Sequence, residues 1–256
     1  STSANFGTSG SEVVKVTSTS AEFGSSGSLA NVNATNSNVS FLGTISSGNN
    51  SIAIGKNNIL TNNNSIAIGS GISNLGVDSI GIGIAAGSNS TSSPGAGNIY
   101  LGKNAGNNDQ GNSNVFLGFE AGKGNSGDNN VFLGYQTGYV TNSGNSNVFL
   151  GNKTGYSNQG NDNIFLGYES GASNIGDLNV IIGKAAGKHK PSGNNNIYIG
   201  TTAGQSNGGH NNVLIGNECA SKQIYGDNNI YFGFNAGGTG AYTIPTITVS
   251  ASYVTT

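Results

Sequence analysis

The 256-residue chain contains no Arg, Trp or Met, one Cys, three Pro and only 8% charged residues. Each shortage removes a class of protein. Without Arg, bidentate recognition of phosphate or guanine is unavailable, and the nine Lys are scattered rather than gathered into a patch, so nucleic acid is not an expected partner. Cys219, standing alone, excludes an intrachain disulfide or a multi-Cys zinc site and leaves the redox compartment open. No apolar run approaches the ~18 residues of a membrane helix, so no span is expected in this segment. The start at Ser1, with neither Met nor a signal peptide, suggests a mature segment or an excised piece.

What the chain has in excess is Gly, 44 residues of 256, against roughly 7% on average. Gly does not fall at every third position, which excludes collagen, and the recurring Ile, Val, Leu and Phe exclude a flexible linker. With 34% hydrophobic residues and a net charge of −2, there is much to bury and little to repel, contrary to disorder. Gly and Asn throughout exclude a coiled coil.

The excess is organised as a repeat. A short apolar stretch closed by Gly occurs as NSIAIG ending at Gly55 and Gly69, DSIGIG at Gly83, NIYLG at Gly102, and NVFLG at Gly118, Gly134 and Gly151. It continues as NIFLG at Gly167, NVIIG at Gly183, NIYIG at Gly200, NVLIG at Gly216 and NIYFG at Gly233. From Gly102 onward each of these anchor glycines has an Asn four residues before it, a Gly seven before it, and a small residue followed by Gly after it. Only the Gly216 repeat departs, with Cys219-Ala220 in the last position. Units of this length, with Gly every few residues, are too short for helix pairs.

In N-V-F-L-G the first and third apolar residues share one side and the middle one takes the other, as β alternation demands. Each unit therefore supplies a short strand, a Gly turn, a second minimal strand around the small residue and a return loop. The fold class expected is all-β: a parallel β-solenoid of 14- to 17-residue coils, each pairing with its neighbours. Four regions follow: residues 1–48, an N-terminal β segment in which ANFGTSGS recurs as AEFGSSGS and which is expected to belong to the same repeat system; 49–94, short repeats; 95–237, long repeats; and 238–256, a β-branched strand or connector interrupted by Pro245.

One Asn per coil, at Asn98, Asn114, Asn130, Asn147, Asn163, Asn179, Asn196, Asn212 and Asn229, is expected to form a structural ladder, each buried amide bonded to its counterparts one coil above and below. The middle anchor residues, Tyr100, Phe116, Phe132, Phe149, Phe165, Ile181, Tyr198, Leu214 and Tyr231, are expected to point away from the residues that fill the roll. Monomers seldom expose so large an apolar stripe. Three explanations are open: the stripe lines a homotrimer axis, the return segment of the same chain covers it, or it is a ligand site.

NSIAIG, over residues 49–87, resembles the YadA-type head repeat of trimeric autotransporter adhesins. The longer units, with an aromatic where the head repeat has Ala, resemble variant repeats of bacteriophage tail fibres. The resemblance implies a left-handed β-roll, three chains side by side, in an extracellular fibre of a cell surface or virion that mediates attachment to an unidentified surface receptor or glycan. A solenoid using one flat repetitive face to bind a ligand or ice is the alternative, although ice binding favours repeated outward Thr pairs and Thr137, Thr154, Thr201 and Thr202 are scattered.

Residues that carry chemistry are few, and no catalytic residue, metal site or cofactor is assigned. His189 reads as part of a solvated turn and His210 as a substituted turn residue; Cys219 stands where neighbours have Ala, Thr or Ser and reads as a small packed residue. Glu120, Glu169 and Glu218 share one repeat position and Asp128, Asp177 and Asp227 another, too few for a calcium roll and never obviously paired. A non-enzymatic fibre is the expectation.

Overall fold

The computed structural model describes in full residues 50–89, 94–140, 143–189, 192–222 and 226–237, together with the backbone of the strands between residues 4 and 46. The C-terminal strand or connector expected over 238–256 lies outside the described residues. Strands β1 (Ala4–Thr8), β2 (Ser11–Val16), β3 (Ser20–Phe23), β4 (Ala30–Asn33) and β5 (Asn38–Phe41) pair antiparallel in succession. The N-terminal segment therefore does not coil as the later repeats do. In ANFG and AEFG the place of the middle apolar residue is taken by Asn5 and Glu22, polar residues where the later repeats need an apolar one to fill the coil.

β5 then pairs parallel with β7 (Ile52–Lys56), and from there the chain stacks coil on coil. The 12 parallel strands form a β-solenoid of about 11 turns. They are β7, β9 (Ile66–Ser70), β10 (Ile80–Ile84), β11 (Ile99–Leu101), β12 (Val115–Leu117), β13 (Val131–Leu133), β14 (Val148–Leu150), β15 (Ile164–Leu166), β16 (Val180–Ile182), β17 (Ile197–Ile199), β18 (Val213–Ile215) and β19 (Ile230–Phe232). Register is strictly in phase, with Phe116 beside Phe132 and Phe132 beside Phe149. The expected second strand of each coil is regular only among the short repeats, where β6 (Ile45–Ser46) pairs with β8 (Ile59–Leu60). In the long repeats it is a run of turns still bonded between coils, as in Gly122 N–H to Thr137 O and Glu120 N–H to Lys103 O.

The strands are inside out relative to the sequence expectation. Phe116, Phe132, Phe149, Phe165, Ile181, Tyr198 and Leu214 are 0% exposed and Tyr100 is 2% exposed, while Tyr231 is half-buried. The middle residues fill the roll of their own chain, and the first and third residues of each anchor face outward. Of the three explanations for the stripe, coverage by the return segment is the one the structure adopts. It works because that segment carries almost no side chain where it crosses the ring. A Cβ added to Gly122 would lie 2.2 Å from the Phe116 ring, and this glycine also holds a φ of +62°. The Gly216 repeat departs in both partners at once: Ala220, at φ +46°, replaces the Gly, and the core residue facing it is Leu214, with no ring to collide with.

Inside the roll, Phe116, Phe132, Phe149 and Phe165 stack with centroids 4.9, 4.7 and 4.7 Å apart and planes within 9°. That spacing is the strand repeat itself. Phe132 and Phe149 therefore bury both ring faces against identical neighbours, while Phe116 meets the tilted ring of Tyr100 and Phe165 lies beside Ile181.

Candidate functional site

Three columns of polar side chains run the length of the solenoid. The first is the expected Asn column, and its members from Asn98 to Asn212 are buried. Its bonding differs from amide on amide: Asn98 Oδ1 accepts the main-chain N–H of Asn114 at 2.7 Å, and Asn98 Nδ2 donates to Gly111 O at 2.8 Å. Asn114, Asn130, Asn147, Asn163 and Asn212 bond in the same way, each tying down both the strand entry and the repeat Gly of the next coil, whereas Asn179 Nδ2 has no partner among the described residues. Direct amide contacts occur as well, as from Asn196 Nδ2 to Asn179 Oδ1 at 3.0 Å. In the short repeats Ser51, Ser65 and Ser79 hold the same place, with Ser51 Oγ accepting from Ser65 N–H at 3.2 Å and Ser65 Oγ donating to Gly76 O at 2.8 Å.

A second buried column was legible but overlooked. It lies two residues before each repeat Gly, at Asp109, Asn125, Asn158, Asn174 and Asn207. These close local turns, as in Gly176 N–H to Asn174 Oδ1 at 2.6 Å. The third column is solvent-facing and runs the other way: Asn112 N–H donates to Asp128 Oδ1 at 2.6 Å, Asp128 N–H to Asn145 Oδ1 at 2.7 Å, and Asn161 N–H to Asp177 Oδ1 at 2.7 Å. His210 belongs to this column. Its Nδ1 accepts from Asn194 N–H at 3.1 Å, and its own N–H donates to Asp227 Oδ1 at 2.7 Å.

His189 faces Gln205, with Nε2 to Nε2 3.3 Å, so the two imidazoles serve different partners. Cys219 is buried, its Sγ 3.6 Å from Tyr231 O, and burial pushes its thiol up to about 11, which leaves it protonated and unreactive at neutral pH. Among the described residues no group of three His, Cys, Asp or Glu gathers as metal ligands do.

Among the described residues Asp109 is the one carboxylate inside the roll, at 1% exposure. Oδ2 accepts from the Tyr100 hydroxyl at 2.8 Å and from Asn114 Nδ2 at 3.3 Å; Oδ1 accepts from Asn125 Nδ2 at 2.8 Å and Gly111 N–H at 3.0 Å. Burial outweighs these donors and pushes its carboxyl from the ordinary 3.8 up to about 6. Because the folded value lies above the unfolded one, the stabilisation from protonation is complete below about 3.8 and is lost as pH rises through about 6. That shift is worth roughly 3 kcal/mol. Thermal melts should therefore climb as pH falls from 7 to 5, and Asp109→Asn, which restores the residue of the neighbouring coils, should flatten that rise. An unchanged pH dependence in the variant would show that other groups set it.

Two outer surfaces remain. The first is the sheet face, where the outward residues form two apolar columns: Ile99, Leu101, Leu117, Val148, Leu150, Ile164, Leu166 and Ile197 are all 38–48% exposed. The second is the turn surface after each strand. Rings stack there too, Phe119 on Tyr135 and Tyr139 on Tyr156, both at 5.2 Å, with Lys103 Nζ 5.9 Å from the Phe119 centroid and Lys123 Nζ 5.4 Å from that of Tyr139. Just beyond Tyr156 lies a recess of about 320 Å³ lined by Lys153, Tyr156, Glu169, Ala172, Ser173 and Lys188. Glu169, a carboxylate the sequence pattern left without a partner, is bridged to Lys188 at 2.6 Å.

Comparison with protein-family models, with curated proteins and with solved structures finds no match for this chain.

Proposed function

We propose that this chain is a structural and adhesive fibre segment, extending from a bacterial surface or a virion, in which three copies associate side by side and attach to a receptor. The observation that carries the reading is the outward sheet face. Twelve strands at ~4.8 Å give it a length of about 58 Å, and two side-chain columns give it an apolar area on the order of 600 Å². A single patch of that size sits at the upper end of what monomers expose, and approaches the ~800 Å² that one partner buries in a standard interface. The residues first assigned to that role lie in the core, so the interface is assigned instead to columns such as Leu101, Leu117, Leu150 and Leu166. The NSIAIG resemblance supports the same arrangement.

Sedimentation equilibrium tests it. The parent should run at three times 25.6 kDa, and the triple variant Leu117→Lys, Leu150→Lys, Leu166→Lys should run at one, with its β circular dichroism retained. A parent that sediments as a single chain overturns the trimer. The ice- or ligand-binding alternative is weakened by Thr137 and Thr154, which are buried and donate their hydroxyls to Gly151 O and Gly167 O of the next coil instead of standing in an outward array.

A further inference from the structure

In the turn surface, the residue five places after each anchor Gly lies directly above its counterpart in the next coil. Lys123, Tyr139, Tyr156, Ala172 and Lys188 occupy this column. Lys123 reaches over the Tyr139 ring and Tyr139 stacks on Tyr156. At Ala172 the column shrinks to a methyl group, and Lys188 of the following coil turns aside to Glu169. The stack of large groups is thus interrupted by one rung, and the interruption is the recess. Tyr156 and Lys188 are two coils apart, about 9–10 Å, which leaves room for one ring of ordinary thickness against the exposed face of Tyr156.

The walls specify what kind of ring. Tyr156 offers an aromatic face and Ala172 a methyl floor. Glu169 and Ser173 offer hydrogen-bond groups at the rim, and Glu169 accepts only. Two lysines face one glutamate, so the recess carries a net positive charge, and among the described residues Lys153 makes no ion pair. We propose that this recess binds an acidic pyranose, a hexuronate-type sugar, as the missing rung of the Tyr139–Tyr156 stack. The C–H face of the sugar lies on Tyr156, its hydroxyls donate to Glu169 and bond Ser173, and its carboxylate pairs with Lys153. A planar aromatic acid would stack as well but has no hydroxyl for Glu169. A neutral sugar would leave Lys153 unused, and a phosphate would meet the Glu169 carboxylate.

This inference rests on the attachment reading for its biological setting and names the ligand chemistry of one place on the fibre. Titration by calorimetry with methyl β-glucuronide, methyl β-glucoside and benzoate tests it on the full chain. Glucuronide is expected to bind in the millimolar range, typical of a single small ring, with glucoside and benzoate at least about tenfold weaker. Ala172→Tyr, which supplies the rung that Tyr139 and Tyr156 supply in neighbouring coils, should abolish binding while sedimentation and circular dichroism stay those of the parent. Lys153→Gln should weaken glucuronide several-fold and leave glucoside unchanged. No glucuronide binding by the folded parent, benzoate binding as tightly, or an Ala172→Tyr protein that binds like the parent each overturns the proposal. A polymeric glucuronan that binds through other surfaces would show the last of these outcomes, and so separates a carbohydrate-binding fibre from this recess. A trimeric parent without glucuronide binding overturns this inference alone, and a monomer that binds overturns the trimer alone.

Discussion

Phe149→Asp is expected to unfold the middle of the solenoid, whereas Leu150→Asp, one residue along, is expected to cost a single chain less than about 1 kcal/mol. Phe149 is 0% exposed and lies between the rings of Phe132 and Phe165, each 4.7 Å away; Leu150 is 45% exposed on the sheet face. Truncation of such a ring costs about 3–5 kcal/mol by itself, and placing a carboxylate in the vacated space adds the penalty of an unpaired buried charge. The sum is comparable to the ~5–15 kcal/mol that holds a typical domain together. Urea unfolding followed by circular dichroism checks both variants. Equal midpoints would mean that the middle residues are not the core. The same Leu150 change should still weaken association, so its effect belongs to sedimentation and not to the melt of an isolated chain.

The second large effect is expected at a glycine. A Cβ on Gly160 would stand 1.9 Å from the carbonyl oxygen of Gly176 and 2.9 Å from Asn163 Nδ2, and neither the neighbouring main chain nor the buried amide has anywhere to go. Gly160→Ala should therefore force two coils apart, breaking the bond from Asn147 Nδ2 to Gly160 O, 2.9 Å in the native stack, and its neighbours. Overpacking and lost hydrogen bonds together put the cost at about 3–5 kcal/mol. Gly71 provides the contrast: nothing lies within 4 Å of its Cβ position, so Gly71→Ala bears only the strain of its φ of +67°, about 1–2 kcal/mol. Because each coil touches only its neighbours, the Gly160 change should also divide one cooperative transition into two. A single transition at the parent midpoint would rule out close backbone approach in this column.

The stacking itself was legible because it is written in identity. An Asn or a Gly that recurs at one phase of a parallel array must meet itself in the next coil, whatever the details of the coil. Inside and outside were harder. In a strand of three residues, alternation puts two side chains on one side and one on the other, and the pair does not say which side is enclosed. The discriminating signal was the small residue and Gly after the anchor: Ala121-Gly122 and Thr137-Gly138 leave a space that only a large middle residue fills. The Leu214 coil, with its Cys219-Ala220, pairs a smaller core residue with a larger lid. The recess at Ala172 was not legible as a site, since it depends on one small residue in a column of larger surface side chains, and surface positions vary for many reasons.

The Asp109–Tyr100 contact has a consequence for assembly of the stack. A column of like residues is nearly blind to translation: Phe132 would sit on Phe165 about as well as on Phe149, with the same amides and the same glycines above and below. Folding such an array risks skipping a coil and trapping the omitted turn as a loop. Asp109 offers a carboxylate that only one hydroxyl in the core, Tyr100, is placed to meet, with Asn114 and Asn125 completing its shell. The Tyr100 contact is made within one coil, so it closes that coil locally and does not depend on which coil stacks above it. The coil where the short repeats give way to the long thus carries an internal clasp, a fixed point from which the stacking of near-identical coils can proceed.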